Sequence, residues 1–254
     1  MKIKSHIPNI LTLLNLFSGI IAVFFAVKDQ LVLAAFFVFI GIFFDFFDGF
    51  AARILKVQGE LGKQLDSLAD VVTSGVVPGF VMFQLMLRSS SSANWSSSND
   101  AVEQISLSTI LTSNYAVASI GFLIAIAAAY RLAKFNIDER QTSSFIGLPT
   151  PASAMVVLSL PLIIAYTNNQ IAIDLIGNLW FLIGLTLLLC FLMNAEIPLF
   201  SLKFKDYSWK NNKVKFIFIG VTMLLLAVLQ FIAIPFIIVL YVLISMVAKK
   251  EIND

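Results

Sequence analysis

The chain has 254 residues, of which 59% are hydrophobic and 13% are charged, and its mean hydropathy is +0.93. A soluble domain is typically about half apolar and about a quarter charged, so this composition excludes a disordered chain and argues against a water-soluble globule. The 17 basic and 15 acidic residues give a net charge of +2, which implies no nucleic-acid partner. The single cysteine, Cys190, excludes an internal disulfide, and the single histidine, His6, argues against a histidine-based metal site.

Long stretches without charged residues predict an all-α, polytopic membrane protein. Crossing a hydrocarbon core of about 30 Å takes roughly 20 helical residues, and these apolar runs do not alternate as they would in a β-barrel. The last stretch is too long for one crossing, and Pro235 with polar Gln230 nearby predicts two short helices joined by a tight turn. We therefore predict about eight transmembrane helices, contained in the stretches 9–27, 31–44 (continuing to about 55), 71–87, 104–130, 148–166, 175–195 and 216–248.

Positive charge is unevenly distributed between the predicted loops. With the N-terminus placed in the cytoplasm, every Lys and Arg except Lys28 and Arg88 falls on the cytoplasmic side. Because Lys and Arg concentrate in cytoplasmic loops, the N- and C-termini are both predicted to be cytoplasmic. Eight spans also agree with this rule better than seven, since seven spans would place Lys249 and Lys250 outside.

Acidic residues cluster where the second predicted helix ends and the third begins. Asp45 and Asp48 are three residues apart, and Asp66 and Asp70 are four residues apart, so each pair lies on one helix face. The short connection between the two helices makes them antiparallel neighbours. Four carboxylates are therefore expected to converge near the inner membrane surface, where ionisable side chains mark functional sites.

Four converging carboxylates require counter-charge. Arg53 is expected to supply part of it, and oxygen-only ligands otherwise suit hard cations such as Mg²⁺ or Mn²⁺. A pair of such ions bridged by carboxylates recurs in phosphoryl transfer. The small residues Gly49 and Ala52 are expected to let a ligand approach the helix backbone. Asp66 and Asp70 are expected in the first turn of their helix, whose positive dipole end favours anions.

The acidic residues belong to a longer motif, Asp45-x2-Asp48-Gly49-x2-Ala52-Arg53-x8-Gly62-x3-Asp66-x3-Asp70. At every position of this motif the chain resembles the CDP-alcohol phosphotransferase family. Segments 7–19, 65–70, 131–136 and 145–152 further resemble its branch of bacterial and archaeal integral-membrane phosphatidylserine synthases, although that branch often has Arg where this chain has Lys134. The resemblance implies a single membrane domain, 1–254, with a catalytic core at 1–155 and additional transmembrane helices at 156–254.

The resemblance implies an enzyme of phospholipid biosynthesis, a CDP-diacylglycerol–serine O-phosphatidyltransferase, which transfers the phosphatidyl group of CDP-diacylglycerol to L-serine and releases CMP. It implies a homodimer in the cell membrane, with the active site facing the cytoplasm. Asp70 is the implied general base. The implied ligands of two divalent cations, Mg²⁺ or Mn²⁺, are Asp45, Asp48, Asp66 and Asp70. The implied CDP-binding residues are Gly49, Ala52, Arg53, Gly62, Thr12 and Asn15.

Serine is a zwitterion, so its site needs a cation for the carboxylate and acceptors for the ammonium group. Arg131, Lys134 and Asn136, at the cytoplasmic end of the fourth predicted helix, are candidate serine ligands, and so is Ser67. For the first three, anchoring of the helix at the inner membrane surface is the alternative. For the whole protein, the alternatives are another acceptor (glycerol 3-phosphate or inositol), an intramembrane prenyltransferase or a cation transporter.

Overall fold

A computed structural model describes residues 6–57, 59–90, 114–138, 145–199 and 209–247. These ranges are almost entirely helical. In chain order the elements are α1 (His6–Val27), α2 (Leu31–Ile54), α3 (Glu60–Val71), a π-helical segment (Val72–Val76), α4 (Val77–Ser90), α5 (Asn114–Ala118), a 3₁₀ turn (Ser119–Phe122), α6 (Leu123–Ile137), β1 (Phe145–Ile146), α7 (Thr150–Tyr166), α8 (Gln170–Ile176), α9 (Leu179–Asn194), β2 (Pro198–Leu199), α10 (Trp209–Leu229), a second 3₁₀ turn (Gln230–Ile232) and α11 (Ala233–Val247).

Several described helices are long and apolar enough to cross a membrane, which confirms a multi-pass all-α membrane protein. Large apolar side chains such as Phe17, Phe24 and Phe36 remain more than half exposed, as expected for a surface that faces lipid. By length and composition the described residues form five such helices: His6–Val27, Leu31–Ile54, Glu60–Ser90, Asn114–Ile137 and Asn212–Met246. There are six if Gln170–Ile176 and Leu179–Asn194, which are bent by 73° relative to each other, together form one span.

The long C-terminal helical stretch folds back on itself at Gln230. The rings of Phe218 and Tyr241 lie 5.9 Å apart, whereas a straight helix would separate residues at this spacing by about 34 Å. Gln230 has a positive φ of 49°, which reverses the chain between α10 and α11. Pro235 lies in the first turn of α11, where its missing N–H breaks no helical hydrogen bond. The predicted tight turn is confirmed, and we call α10 and α11 the C-terminal hairpin.

The third helix begins earlier than the sequence suggested. It starts at Glu60, and a π-helical segment, Val72–Val76, joins α3 and α4 into one continuous span. Asp66 and Asp70 therefore lie roughly two and three turns from the helix start, and the expectation that they occupy its first turn is wrong. Their carboxylates are consequently too far from the positive end of the helix dipole to gain from it, because that effect is confined to the first turn.

Small residues bring the central helices into close contact. A Cβ atom at Gly19 of α1 would lie 2.6 Å from the Thr73 side chain, and one at Gly75 would lie 3.1 Å from the Cβ of Ala128 on α6. Small residues at such crossings allow close backbone approach, which is the main source of helix association in a bilayer. The close approach fixes the relative register of α1, the π-helical segment and α6, and with it the position of the side chains one turn away.

A short ribbon closes the end of the bundle that carries the acidic residues. Strands β1 and β2 pair antiparallel, with Phe145 opposite Leu199. The amide of Gly147 donates to the carbonyl of Ile197 at 2.9 Å, and the amide of Leu148 donates to the carbonyl of Leu192 at 2.8 Å. Gly147 has a φ of +74°, which strongly favours glycine. The ribbon therefore ties the start of α7 to the end of α9.

Candidate active site

Three carboxylates converge between α2 and α3. Asp45, Asp48 and Asp66 each offer an oxygen atom, and these atoms lie within 4.8 Å of one another. Asp48 is buried and the other two are half-buried. Oxygen donors grouped in this way match the ligand preference of hard divalent cations, and a cation bound between them would offset the repulsion of like charges this close together. The side chains present therefore suit the divalent cations that the motif implied.

Asp70 lies one turn beyond Asp66 on α3. It is not part of the group of three, but it is close enough to Asp45, Asp48 and Asp66 for electrostatic repulsion. The Nδ2 atom of Asn15 donates to Asp70 Oδ1 at 3.5 Å. Three of the four acidic residues of the motif thus form one group, and Asp70 lies one turn further along α3, at the side that faces α1.

The first helix orients the acidic residues through two buried polar side chains. The hydroxyl of Thr12 donates to Asp48 Oδ2, and Asn15, which is fully buried, contacts Asp70. Asn15 Oδ1 has no hydrogen-bond partner among the described residues. A Cβ atom at Gly62 would lie 3.4 Å from Asn9 Oδ1, so Asn9 also borders the site. Asn9 was not predicted as a site residue, although it lies on the same helix face as Thr12.

The open side of the site is formed by the last turns of α2. A Cβ atom at Gly49 would meet nothing within 4 Å, so space next to this backbone is available to a ligand. Ala52 is half-buried one turn later. Arg53 is exposed, and its Nε donates to the carbonyl of Gly49 at 3.0 Å. Among the described residues it forms no salt bridge with the acidic group.

Helix α6 runs antiparallel to α3 and brings Arg131 to the level of Asp70. The two helices contact each other at two places. Near one end Asn136 Nδ2 donates to Ser67 Oγ at 2.8 Å, and near the other Ala128 closely approaches Gly75, which follows α3 in the π-helical segment. Arg131 lies between these two points along α6. It is 8% exposed, and its Nε has no hydrogen-bond partner in the described structure. Arg131 is therefore a buried cation on the helix next to α3, whereas Arg53 is exposed at the rim of the site.

The four predicted serine ligands separate into two pairs. Ser67 and Asn136 hydrogen-bond to each other. Lys63, which was not predicted as a site residue, donates to the carbonyl of Asn136 at 2.6 Å. Lys134 points towards the end of α9 and lies 3.4 Å from Glu196 Oε1. Arg131 and Lys134 share a small pocket whose other lining residues are Phe135, Ile146, Met193, Asn194 and Ala195.

The fold and the site together define a membrane-embedded enzyme whose acidic residues, from two neighbouring helices, suit metal-assisted transfer of a phosphate-bearing group. The model of the CDP-alcohol phosphatidyltransferase family matches residues 5–192. The chain therefore belongs to this family, and it is a transferase of phospholipid biosynthesis.

Named relatives support this membership. The chain is 32% identical over 171 residues to the CDP-diacylglycerol–serine O-phosphatidyltransferase of Bacillus subtilis, covering 66% of this chain and 79% of the relative. It is 31% identical over 153 residues to the enzyme of the same name from Helicobacter pylori, covering 59% and 55%. It is 27% identical over 181 residues to the archaetidylserine synthase of Methanothermobacter thermautotrophicus, covering 69% and 67%.

Proposed function

We propose that this protein transfers the phosphatidyl group of CDP-diacylglycerol to L-serine, giving phosphatidylserine and CMP. The observation that carries the proposal is the placement of a buried cation, Arg131, on the helix that packs against α3 next to the acidic group. This arrangement offers a base for a hydroxyl and a partner for a carboxylate in one location, which is what an amino-acid alcohol requires. The names of the bacterial and archaeal relatives also agree on serine while differing in the lipid.

The acidic residues divide into two roles in this proposal. Asp45, Asp48, Asp66 and Asp70 hold the divalent cations, Mg²⁺ or Mn²⁺, which when bound neutralise the diphosphate of the donor. Asp70 also takes the proton of the serine hydroxyl. The serine oxygen then forms a bond to the phosphorus that carries the diacylglycerol, and the bond from that phosphorus to the CMP oxygen breaks. Asn15 orients Asp70, and Thr12 orients Asp48, through their side-chain hydrogen bonds.

The remaining site residues position the two substrates. Gly49 and Ala52 leave room for the cytidine diphosphate group along α2, and Gly62 and Asn15 border it from α3 and α1. Arg53 lies at the exposed rim of the site. When the donor binds, its guanidinium group contacts the diphosphate and no longer donates to the carbonyl of Gly49.

On the acceptor side, Arg131 binds the serine carboxylate, because a guanidinium group and a carboxylate form paired hydrogen bonds. Ser67 and Asn136 offer oxygen acceptors to the ammonium group. Lys134 adds positive charge at the entrance.

We further propose the arrangement of the chain in the cell membrane. Counting α1, α2, α3–α4, α5–α6, α7, α8–α9, α10 and α11 as crossings gives eight, with both termini and the active site on the cytoplasmic side. Residues 1–155 form the catalytic core, and 156–254 add transmembrane helices within the same domain. The active form is a homodimer. The positive charge of the loops supports this orientation, because only Lys28 and Arg88 fall on the other side.

An acceptor screen tests the proposed reaction. Purified protein in detergent with CDP-diacylglycerol and Mn²⁺ is given serine, glycerol 3-phosphate or inositol, and CMP release is measured. We expect release with serine, accompanied by an equal amount of phosphatidylserine, and loss of both in Asp70→Asn. Release with another acceptor and none with serine would refute the serine assignment. Turnover of a labelled prenyl diphosphate would indicate an intramembrane prenyltransferase instead, and Mn²⁺ uptake into liposomes without CMP release would indicate a cation transporter.

A further inference from the structure

A small pocket lies where the end of α9 meets α6. Its polar side chains are Arg131 and Lys134 of α6 and Asn194, the last residue of α9. Lys134 is partly exposed and pairs with Glu196, so Arg131 and Asn194 are the polar side chains of the inner part. Asn194 lies just beyond residue 192, where the family match ends, and was not predicted as a site residue.

Two buried polar atoms of this pocket have no hydrogen-bond partner in the described part of the chain. One is Arg131 Nε, an N–H donor, and the other is Asn194 Oδ1, an acceptor. Because a buried polar group without a partner is costly, both atoms require one. They do not bond to each other directly, so a group that accepts from Arg131 Nε and donates to Asn194 Oδ1 would satisfy both.

The amide group of Asn194 is held in one orientation by the backbone of two helices. Its Nδ2 donates to the carbonyl of Ala127 on α6 at 3.3 Å and to the carbonyl of Cys190 on α9 at 3.1 Å. These bonds use both donors of the amide, which leaves Oδ1 as its free polar atom. Ala127 precedes Arg131 by one helical turn, so the bond fixes Asn194 beside Arg131 on the same stripe of α6.

Arg131 lies between the face of α6 that contacts α3 and the face that contacts α9. Ala128, three residues before Arg131, approaches Gly75, which follows α3. Ala127, four residues before Arg131, contacts Asn194. Nε is the donor of the guanidinium nearest to the main chain. A partner for Nε on the α9 side therefore fixes the plane of the guanidinium and leaves both terminal nitrogens available.

We propose that the pocket binds one water molecule, which accepts from Arg131 Nε and donates to Asn194 Oδ1, and that Asn194 is thereby a positioning residue for Arg131. The free space in the pocket is about that of one water molecule, and buried waters typically bridge polar groups that lack a protein partner. The fixed guanidinium then presents its terminal nitrogens to the serine carboxylate. This last step rests on the proposed function, since it names serine as the acceptor.

Asn194→Leu tests the positioning role, because leucine has a similar shape and offers no acceptor. We expect the KM for serine to rise about tenfold, as for loss of one hydrogen bond to a charged group, while kcat and the KM for CDP-diacylglycerol stay within about twofold. The control in the same helix is Thr186→Val, which removes a buried hydroxyl bonded only to the carbonyl of Leu182. The control should leave all three constants unchanged.

A double-mutant cycle separates positioning of Arg131 from loss of the bond between α9 and α6. Arg131→Lys keeps the charge but has no Nε–H in the fork, so adding Asn194→Leu to it should leave the KM for serine within about twofold. An effect of Asn194→Leu that is equally large in both backgrounds would show a structural role and overturn the inference. An unchanged KM for serine in the single variant would also overturn it.

A second measurement does not depend on turnover. A cryo-electron microscopy map of the purified protein that shows ordered waters should contain one peak within hydrogen-bond distance of Arg131 Nε and Asn194 Oδ1, and Asn194→Leu should lose it. A wild-type map without this peak, or with the two side chains in direct contact, would overturn the inference. A wild type that has the peak but releases no CMP with serine would refute the proposed function and leave the water site in place.

Discussion

The hydrogen bond from Thr12 to Asp48 links the first helix to the cation-binding group. Thr12 is 3% exposed and Asp48 is 6% exposed, so water does not readily replace the hydroxyl when it is removed. A hydrogen bond to a charged group contributes about 1.5–3 kcal/mol, and loss of a partner that orients a metal ligand typically lowers metal affinity by about 10–100-fold. We therefore expect Thr12→Val, which keeps the shape of the side chain, to raise the Mn²⁺ concentration for half-maximal CMP release by at least about tenfold.

Two controls separate this effect from loss of packing. Thr12→Ser retains the hydroxyl and should stay close to the wild type. Thr186→Val removes an equally buried hydroxyl that donates only to the carbonyl of Leu182 in its own helix, 2.8 Å away, and should leave the Mn²⁺ dependence unchanged. If Thr12→Val shows the Mn²⁺ dependence of the wild type, the first helix does not orient Asp48, and the argument built on its buried polar residues is wrong.

Two glycines give further predictions, and Gly184, where an added Cβ would also meet nothing within 4 Å, is the matched control position for both. Gly49→Val should raise the KM for CDP-diacylglycerol by about tenfold or more without changing the melting temperature, because the space beside Gly49 is open in the protein alone but is needed by the nucleotide. If the KM of Gly49→Val is unchanged, like that of Gly184→Val, Gly49 is not part of the nucleotide site. Gly121→Ala should lower the free energy of unfolding by about 1–3 kcal/mol, because the added Cβ would lie 2.7 Å from the backbone nitrogen of Phe83. Thermal unfolding in detergent measures this against Gly184→Ala, and equal melting temperatures of the two variants would contradict the close packing of α4 on the 3₁₀ turn.

The acidic site was predictable because its information is local. The spacing of Asp45 with Asp48, and of Asp66 with Asp70, fixes one face on each helix, and the short connection forces the two faces together. The fold-back at Gln230 was predictable for a similar reason, since the apolar stretch is longer than one crossing. Both predictions needed only residues that lie near one another in the chain.

The pairings between distant segments were not predictable in the same way. The contact of Lys134 with Glu196 was not predicted, because it depends on the ribbon between β1 and β2, which brings the end of α9 next to α6. The position of Arg131 next to α3 depends on the close contact of Gly75 with Ala128, which a single sequence does not reveal. The start of α3 at Glu60 was missed because its first turns are polar and were taken for a loop.

Electron paramagnetic resonance measures Mn²⁺ binding to the purified protein in the presence of CDP-diacylglycerol. This measurement tests directly whether the carboxylates of α2 and α3 hold the cations. We expect two Mn²⁺ ions per chain in the wild type and a large loss of affinity in Asp45→Asn and in Asp66→Asn, which remove one ligand from each helix. Asp174→Asn, at an exposed pair with Gln170 in α8, should bind as the wild type does. Mn²⁺ binding that is equally strong in Asp45→Asn, Asp66→Asn and the wild type would show that these carboxylates do not hold the cations.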